Sequence, residues 1–167
     1  MKKIVLIVAL FAFSFSNSQA YEGKGDGKFQ VGANFQNNGT GINLSYDYGI
    51  GENISLGFST TYLLSIDESL EEKPNNAEFG DRYDIRARFN ANIGNVLAIS
   101  DNFDLYPGLS IGLKNFGGHL GARYFFTEGF GIYTELNTPF AKYDENLTAA
   151  ETLHNQFTIN IGASFNL

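Results

Sequence analysis

The sequence predicts an all-β protein: an eight-stranded antiparallel up-and-down transmembrane β-barrel, preceded by a cleavable signal peptide. Three observations carry this. Apolar and polar residues alternate with period two in eight separate runs, the pattern of strands with two unlike faces. The connections between runs alternate between short and long. The polar face of the runs is built largely of Gly, Ser and Asn, as a narrow barrel interior requires.

The first twenty residues read as an export signal. Lys2 and Lys3 give a positive start, an apolar run extends from Ile4 to Phe13, and a polar stretch ends in Ser18-Gln19-Ala20. Small residues at that point place cleavage after Ala20. The apolar run is too short for a spanning helix, which needs about 20 residues. The domains are therefore a signal peptide, residues 1–20, and a barrel, residues 21–167. Losing Lys2 and Lys3 leaves nine basic against eighteen acidic side chains. That balance argues against a nucleic-acid partner. There is no Cys, so no disulfide framework is available.

The eight runs follow in order. Run one carries Phe29, Val31, Ala33 and Phe35 on its apolar face, and run two Ile42, Leu44, Tyr46 and Tyr48. Run three carries Ile54, Leu56, Phe58, Thr60 and Tyr62. Run four carries Tyr83, Ile85, Ala87, Phe89, Ala91 and Ile93, with Arg82, Asp84, Arg86 and Arg88 opposite. Run five carries Phe103, Leu105, Leu109, Ile111 and Leu113. Pro107 falls on the same face and, lacking an N–H, reads as a bulge or a strand start. Run six carries Leu120, Ala122, Tyr124 and Phe126; run seven Phe130, Ile132, Thr134 and Leu136. Run eight carries Phe157, Ile159, Ile161, Ala163, Phe165 and Leu167.

Short turns are expected near Gly51, Ser100 and Gly129. Longer segments fall at Ser65–Asp81 and Phe140–Asn155, with small loops near Gly39 and Phe116. Glu52-Asn53, Asp101-Asn102 and Glu128-Gly129 each precede a strand start and mark one rim. Short turns at one rim and long loops at the other are the habit of membrane barrels.

Alternation alone fits a soluble lipocalin-like carrier equally well, with the apolar face inward. Lipid outside is favoured by the small polar face and by its mixed charges. Asp47, Asp84, Asp104 and Glu135 can meet Arg82, Arg86, Arg88 and Arg123. Counting back from the turn at Thr127-Glu128-Gly129 sets Arg123 opposite Tyr133, one same-face step from Glu135. Arg123 is thus the nearest expected partner of Glu135, with Arg86 and Arg88 as alternates. Aromatics also gather toward both strand ends, as interfacial girdles would.

The last run reads Asn160-Ile161-Gly162-Ala163-Ser164-Phe165-Asn166-Leu167. It resembles the terminal insertion signal of outer-membrane barrels, with Asn160, Gly162, Phe165 and Leu167 in the matching places; Leu stands where Phe is commoner. The mature chain as a whole resembles the small outer-membrane β-barrel superfamily, the porin-like, OmpX/OmpW-like barrels. The resemblance implies a Gram-negative cell outer membrane and contact with its lipid and lipopolysaccharide. It also implies insertion by the barrel-assembly machinery and, most simply, a monomer. The superfamily's functions are diverse, so a role does not follow from it.

No catalytic signature is found, no cofactor is implied and no metal cluster is expected. His119 and His154 are expected near the long-loop rim, as solvated loop residues. Neither has a Ser two residues on, so the lipid A deacylase pattern is unmatched. Gly23, Gly25 and Gly27 precede a strand and open no helix, which rejects a phosphate loop in favour of a flexible lead-in. Asp67, Glu68, Glu71, Glu72, Glu78 and Asp81 read as a solvated acidic loop, with cation binding the less usual alternative and Pro74-Asn75-Asn76 the tip. The role expected is therefore structural or surface-interacting, around a plugged polar lumen. A narrow pore or conduit for small solutes is the alternative; a soluble carrier and a lipid A-modifying enzyme come after it.

Overall fold

The computed structural model describes residues 19–70 and 76–167. The signal-peptide assignment and Pro74-Asn75 of the expected loop tip fall on or mostly on residues outside these. Eight strands close into one antiparallel barrel in sequence order. They are β1 (Gly27–Gln36), β2 (Gly39–Gly49), β3 (Ile54–Ile66), β4 (Tyr83–Ala91), β5 (Phe103–Gly112), β6 (Asn115–Phe125), β7 (Phe130–Lys142) and β8 (Thr158–Asn166). Closure is made by β1 against β8, in unbroken register from Lys28↔Asn166 to Gln36↔Thr158. Closing the sheet removes both edges that would otherwise offer unpaired backbone groups.

Period two decides which face is which. Along β7, Gly131, Tyr133, Glu135 and Asn137 are buried, while Ile132, Thr134, Leu136 and Thr138 are exposed. The other strands follow suit, so the lumen is polar and the outer surface apolar. A lipocalin-like carrier needs the reverse, an apolar cavity inside a solvated wall; the structure runs against that alternative. Among the described residues no helix is long and apolar enough to cross a membrane.

Aromatic contacts ring the short-turn rim. Tyr124, Phe126, Phe130, Phe165 and Phe29 touch in succession, with ring centroids 5.3–6.4 Å apart. At the long-loop rim, Phe79 lies 5.6 Å from both Tyr62 and Tyr83, and Phe116 lies 6.0 Å from Phe140.

Lumen glycines make room for rings on neighbouring strands. Gly121 faces Tyr106 across the β5–β6 ladder, and a Cβ there would sit 2.1 Å from the Tyr106 ring. That ring is fully buried and has nowhere to go. Gly121→Val is expected to cost about 3 kcal/mol, at the upper end of ordinary overpacking. Denaturant unfolding in lipid vesicles measures it; an unchanged midpoint would mean that the ring has free space.

The structure departs from the sequence expectations at three places. Pro107 is neither a bulge nor a start, since β5 keeps register with β6 through Pro107↔Leu120. The ladder with β4 instead runs from Gly112 to Gly108 and stops one residue short of Pro107, so the missing N–H costs little. The connection expected as a short turn near Ser100 is eleven residues long and contains a helical turn, Gly94–Leu97. Phe116 and Phe140 belong to strands, which leaves residues 143–157 as the second long loop.

The long-loop end is capped. A 3-10 turn (Glu68–Leu70), α1 (Phe79–Arg82) and residues 143–157 cover it. Their small apolar core is Leu63, Ile66, Leu70, Ala77, Ala150 and Leu153. The helical turn Gly94–Leu97 of the opposite rim is α2.

Candidate functional site

The polar lumen is a stack of paired charges. At mid-height Arg88 reaches across the barrel from β4 to β7 and donates from Nη2 to Glu135 Oε2 at 2.6 Å. Its Nε lies 3.0 Å from Asp47 Oδ1 on β2. The second contact is Coulombic only, because no donor among the described residues is aligned on the Asp47 oxygens. Asn160 Nδ2 donates to Glu135 Oε1 at 3.3 Å, and Asn34 Nδ2 to Asn160 Oδ1 at 2.7 Å. His119 Nε2 is 2.7 Å from Asn90 Oδ1 and 3.4 Å from Arg88 Nη2.

Toward the short-turn rim, Arg123 Nη2 donates to Asp104 Oδ2 at 2.8 Å and to Asn92 Oδ1 at 2.9 Å. The Tyr106 ring lies between the two layers, 4.7 Å from the Arg123 guanidinium and 5.8 Å from that of Arg88. Both lie within cation–π range. Toward the long-loop rim, Arg86 Nε is 2.5 Å from Asp84 Oδ2, and Arg86 Nη2 donates to the His154 carbonyl at 2.9 Å. Lys28 pairs with Asp26 and stands 5.4 Å over the buried Phe125 ring. Each lumen cation thus has a carboxylate partner. Buried charge is tolerable on that condition alone.

All seven lumen residues read from the sequence line this interior: Asp47, Asp84, Arg86, Arg88, Asp104, Arg123 and Glu135. The pairing differs in one respect. Glu135 is held by Arg88, named as an alternate, and Arg123 turns to Asp104. The hairpin count considered only β6 and β7; Asp104 stands directly opposite Arg123 on the other neighbour, β5. His119 is a correction too. It sits inside the barrel, and period two from Arg123 through Gly121 would have placed it there. The same parity sets Phe125 inside.

Both ends of the lumen are covered. Residues 21–26 cross the short-turn mouth, from the start of β1 to the β4–β5 connection, where Asn95 Nδ2 donates to the Tyr21 carbonyl at 3.1 Å. Gly25 N–H donates to the Gly49 carbonyl at 2.8 Å. Gly23 and Gly25 take φ of 93° and 95°, turns that favour glycine. The expected flexible lead-in is therefore an ordered strap. Tyr21 is its stopper: it is buried, and its hydroxyl donates to the Ile54 carbonyl at 2.7 Å, with Gly51 O at 3.0 Å. Burial, and then nearby Asp26, push its phenol up to about 12.

At the other mouth the second histidine is a latch, contrary to its expected solvated place. His154 Nε2 lies 3.0 Å from the Arg82 carbonyl, so the neutral ring donates from that nitrogen. Its backbone N–H donates to Gln36 Oε1 at 3.0 Å, and its carbonyl accepts from Asn115 Nδ2 at 2.9 Å. Burial holds the ring's pKa down, to about 4, against the opposing pull of the Arg82 carbonyl and Asp84; Lys114 and Arg86 also lower it. A free histidine titrates near 6.5. The native state therefore resists protonation, and the latch is complete above about pH 6.5 and weakens as pH falls from there toward 4. Amide protection in residues 149–157, taken relative to the intrinsic exchange rate at each pH, should fall across that window, and His154→Gln should flatten the dependence. Protection independent of pH in the wild type would contradict the latch.

The four residues of the terminal pattern have distinct places. Asn160 joins the Glu135 network. Gly162 lies so close to β1 that a Cβ would meet the Val31 carbonyl at 2.1 Å. Phe165 stacks outward between Phe29 and Phe130, and Leu167 is exposed. In the acidic loop, Asp67 Oδ1 accepts from Ser69 N–H and Oγ at 2.9 and 2.6 Å, and Asp81 Oδ2 from Glu78 N–H at 2.9 Å. These carboxylates cap turns. Among the described residues no group of three or more His, Cys, Asp or Glu is placed to hold a metal ion. Glu71 and Glu72 lie outside the described residues.

The barrel is similar to the crystal structure of the N-terminal β-barrel domain of OprF from Pseudomonas aeruginosa. The TM-score is 0.57 at 12% identity, over 87% of this chain and 100% of that one. At that identity the likeness is one of fold. No curated protein matches the sequence. Residues 11–167 match the family of unknown function DUF6646, and the chain belongs to that family.

Proposed function

We propose that the protein is an outer-membrane barrel with a structural or surface-interaction role and a lumen closed to ions. The observation that carries this is the lumen itself. Its charges are paired at three heights, the Tyr106 ring fills the space between two of them, and both mouths are covered. Such an interior supports a lumen without a continuous aqueous path. The apolar outer face supports lipid as the surroundings. The signal-peptide pattern expected at residues 1–20 fits export, and lipopolysaccharide is then the neighbour of the long-loop cap. The reading has no catalytic step, and a single barrel suffices for it. Planar-bilayer recording of the purified protein tests the closed lumen. The wild type should stay silent; steady, large open-channel currents would overturn the proposal in favour of a narrow pore.

The last strand is proposed to be what the assembly machinery reads, through Asn160, Gly162, Phe165 and Leu167. Deleting Phe165-Asn166-Leu167 removes the Phe29↔Phe165 and Phe130↔Phe165 pairs at the closing seam. Export should continue and the compact, heat-modifiable gel band should vanish. A persisting folded band would contradict this assignment.

A further inference from the structure

The connections at the short-turn rim are unlike one another. Those after β2 and β6 are short and carry Glu52 and Glu128. The one after β4 is long; Asp101, beside β5, is a charged residue in it, and residues 92–100 hold no charged side chain. Several of its polar groups turn toward the barrel mouth. Asn92 Nδ2 donates to Ser55 Oγ at 3.1 Å, and Gly94 N–H to Asp104 Oδ1 at 3.1 Å. Asn95 Nδ2 donates to the Tyr21 carbonyl at 3.1 Å. On the outside, residues 96–99 are aliphatic: Val96 is 65% exposed, Ile99 62%, and Leu97 is exposed between them, with Ser100 and Asp101 exposed beyond.

We propose that this connection is an interfacial anchor, with Val96, Leu97 and Ile99 seated at the boundary of headgroups and acyl chains in the phospholipid leaflet at the short-turn end. The inference rests on the membrane reading above. Continuity argues for lipid as the occupant. The connection joins the outward residues of β4, Phe89 and Ala91, to those of β5, Phe103 and Leu105, so its aliphatic side extends the apolar outer face at the level of the aromatic ring. A protein partner would be specified by charge or hydrogen bonding, and residues 96–99 offer no polar side chain. Apolar side chains displayed on a polar-backed helical turn suit the interface plane.

The chain contains no Trp, so a single introduced Trp reports alone. Leu97→Trp, Ile161→Trp and Tyr143→Trp would each be refolded into phosphatidylcholine vesicles and checked by heat-modifiable migration. Acyl chains brominated near the headgroup should quench Leu97→Trp about two-fold. Chains brominated deeper should quench Ile161→Trp, and aqueous iodide alone should reach the exposed loop position Tyr143→Trp. If Ile161→Trp is quenched by lipid while Leu97→Trp answers only to iodide, the anchor is wrong and the membrane reading stands. Leu97→Trp shielded from both quenchers, with cross-linked dimers present, would assign the patch to a second copy and also overturn the anchor. Escape of Ile161→Trp from both brominated lipids would overturn the membrane reading and the anchor with it.

Discussion

Glu135→Ala is expected to destabilise the barrel by about 3–5 kcal/mol, the usual cost of breaking a buried ion pair from one side. The Arg88–Glu135 pair is 2% exposed on both sides. Removing the carboxylate leaves Asp47 as the carboxylate beside Arg88, a contact without an aligned hydrogen bond. It also strips a partner from Asn160. Replacing both members by apolar residues of similar volume should cost much less, since well-packed apolar substitutes for buried ion pairs are often neutral. Denaturant titration in vesicles gives both numbers and the coupling between them. A loss below about 1 kcal/mol for Glu135→Ala would mean that water reaches the pair, as at an exposed salt bridge.

The second large effect lies on the other face. Ile161 is 52% exposed, four residues from Phe157 and four from Phe165, the outward aromatics toward the two ends of β8. Eight residues span about 26 Å along a strand, or about 20 Å along the membrane normal at the 35–45° tilt of such barrels. Ile161 is therefore near the midplane of the apolar band. Ile161→Arg should cost about 2–4 kcal/mol in lipid. At a water-facing site the same change would fall within about 0.5 kcal/mol of neutral. The measured magnitude thus decides what the outer face touches, with Ile161→Leu as the conservative control.

Much of the barrel was legible because strands write their two faces directly into sequence parity. Once Ile132 and Leu136 were outside, Tyr133 and Glu135 had to be inside, and a slip by one residue would have inverted the whole molecule. Partner choice across the lumen was less legible. Glu135 could be offered Arg123 or Arg88, and the outcome turned on Asp104, which claims Arg123 from the opposite neighbour strand. His119 lies near a loop in sequence, which masks the parity with Arg123 that sets it inside. The closed mouths left weaker traces. The strap depends on two glycine turns and on a single Tyr meeting carbonyls about thirty residues away, and the latch on a His donating across loops. Neither has a periodic signal, because both are tertiary contacts of irregular backbone. The β4–β5 connection reads as a short turn because Asp101-Asn102 repeats the pattern of the other two, which masks the helical turn before it.

The most direct measurement is fractionation of cells expressing the full chain, followed by an alkaline carbonate wash of the membranes. A barrel whose outer face is apolar and whose charges are paired inside should sediment with the outer membrane, resist the wash and shift its gel mobility on heating. Recovery of the folded protein in the soluble fraction would contradict the account, since the apolar outer face would then have to stand in water.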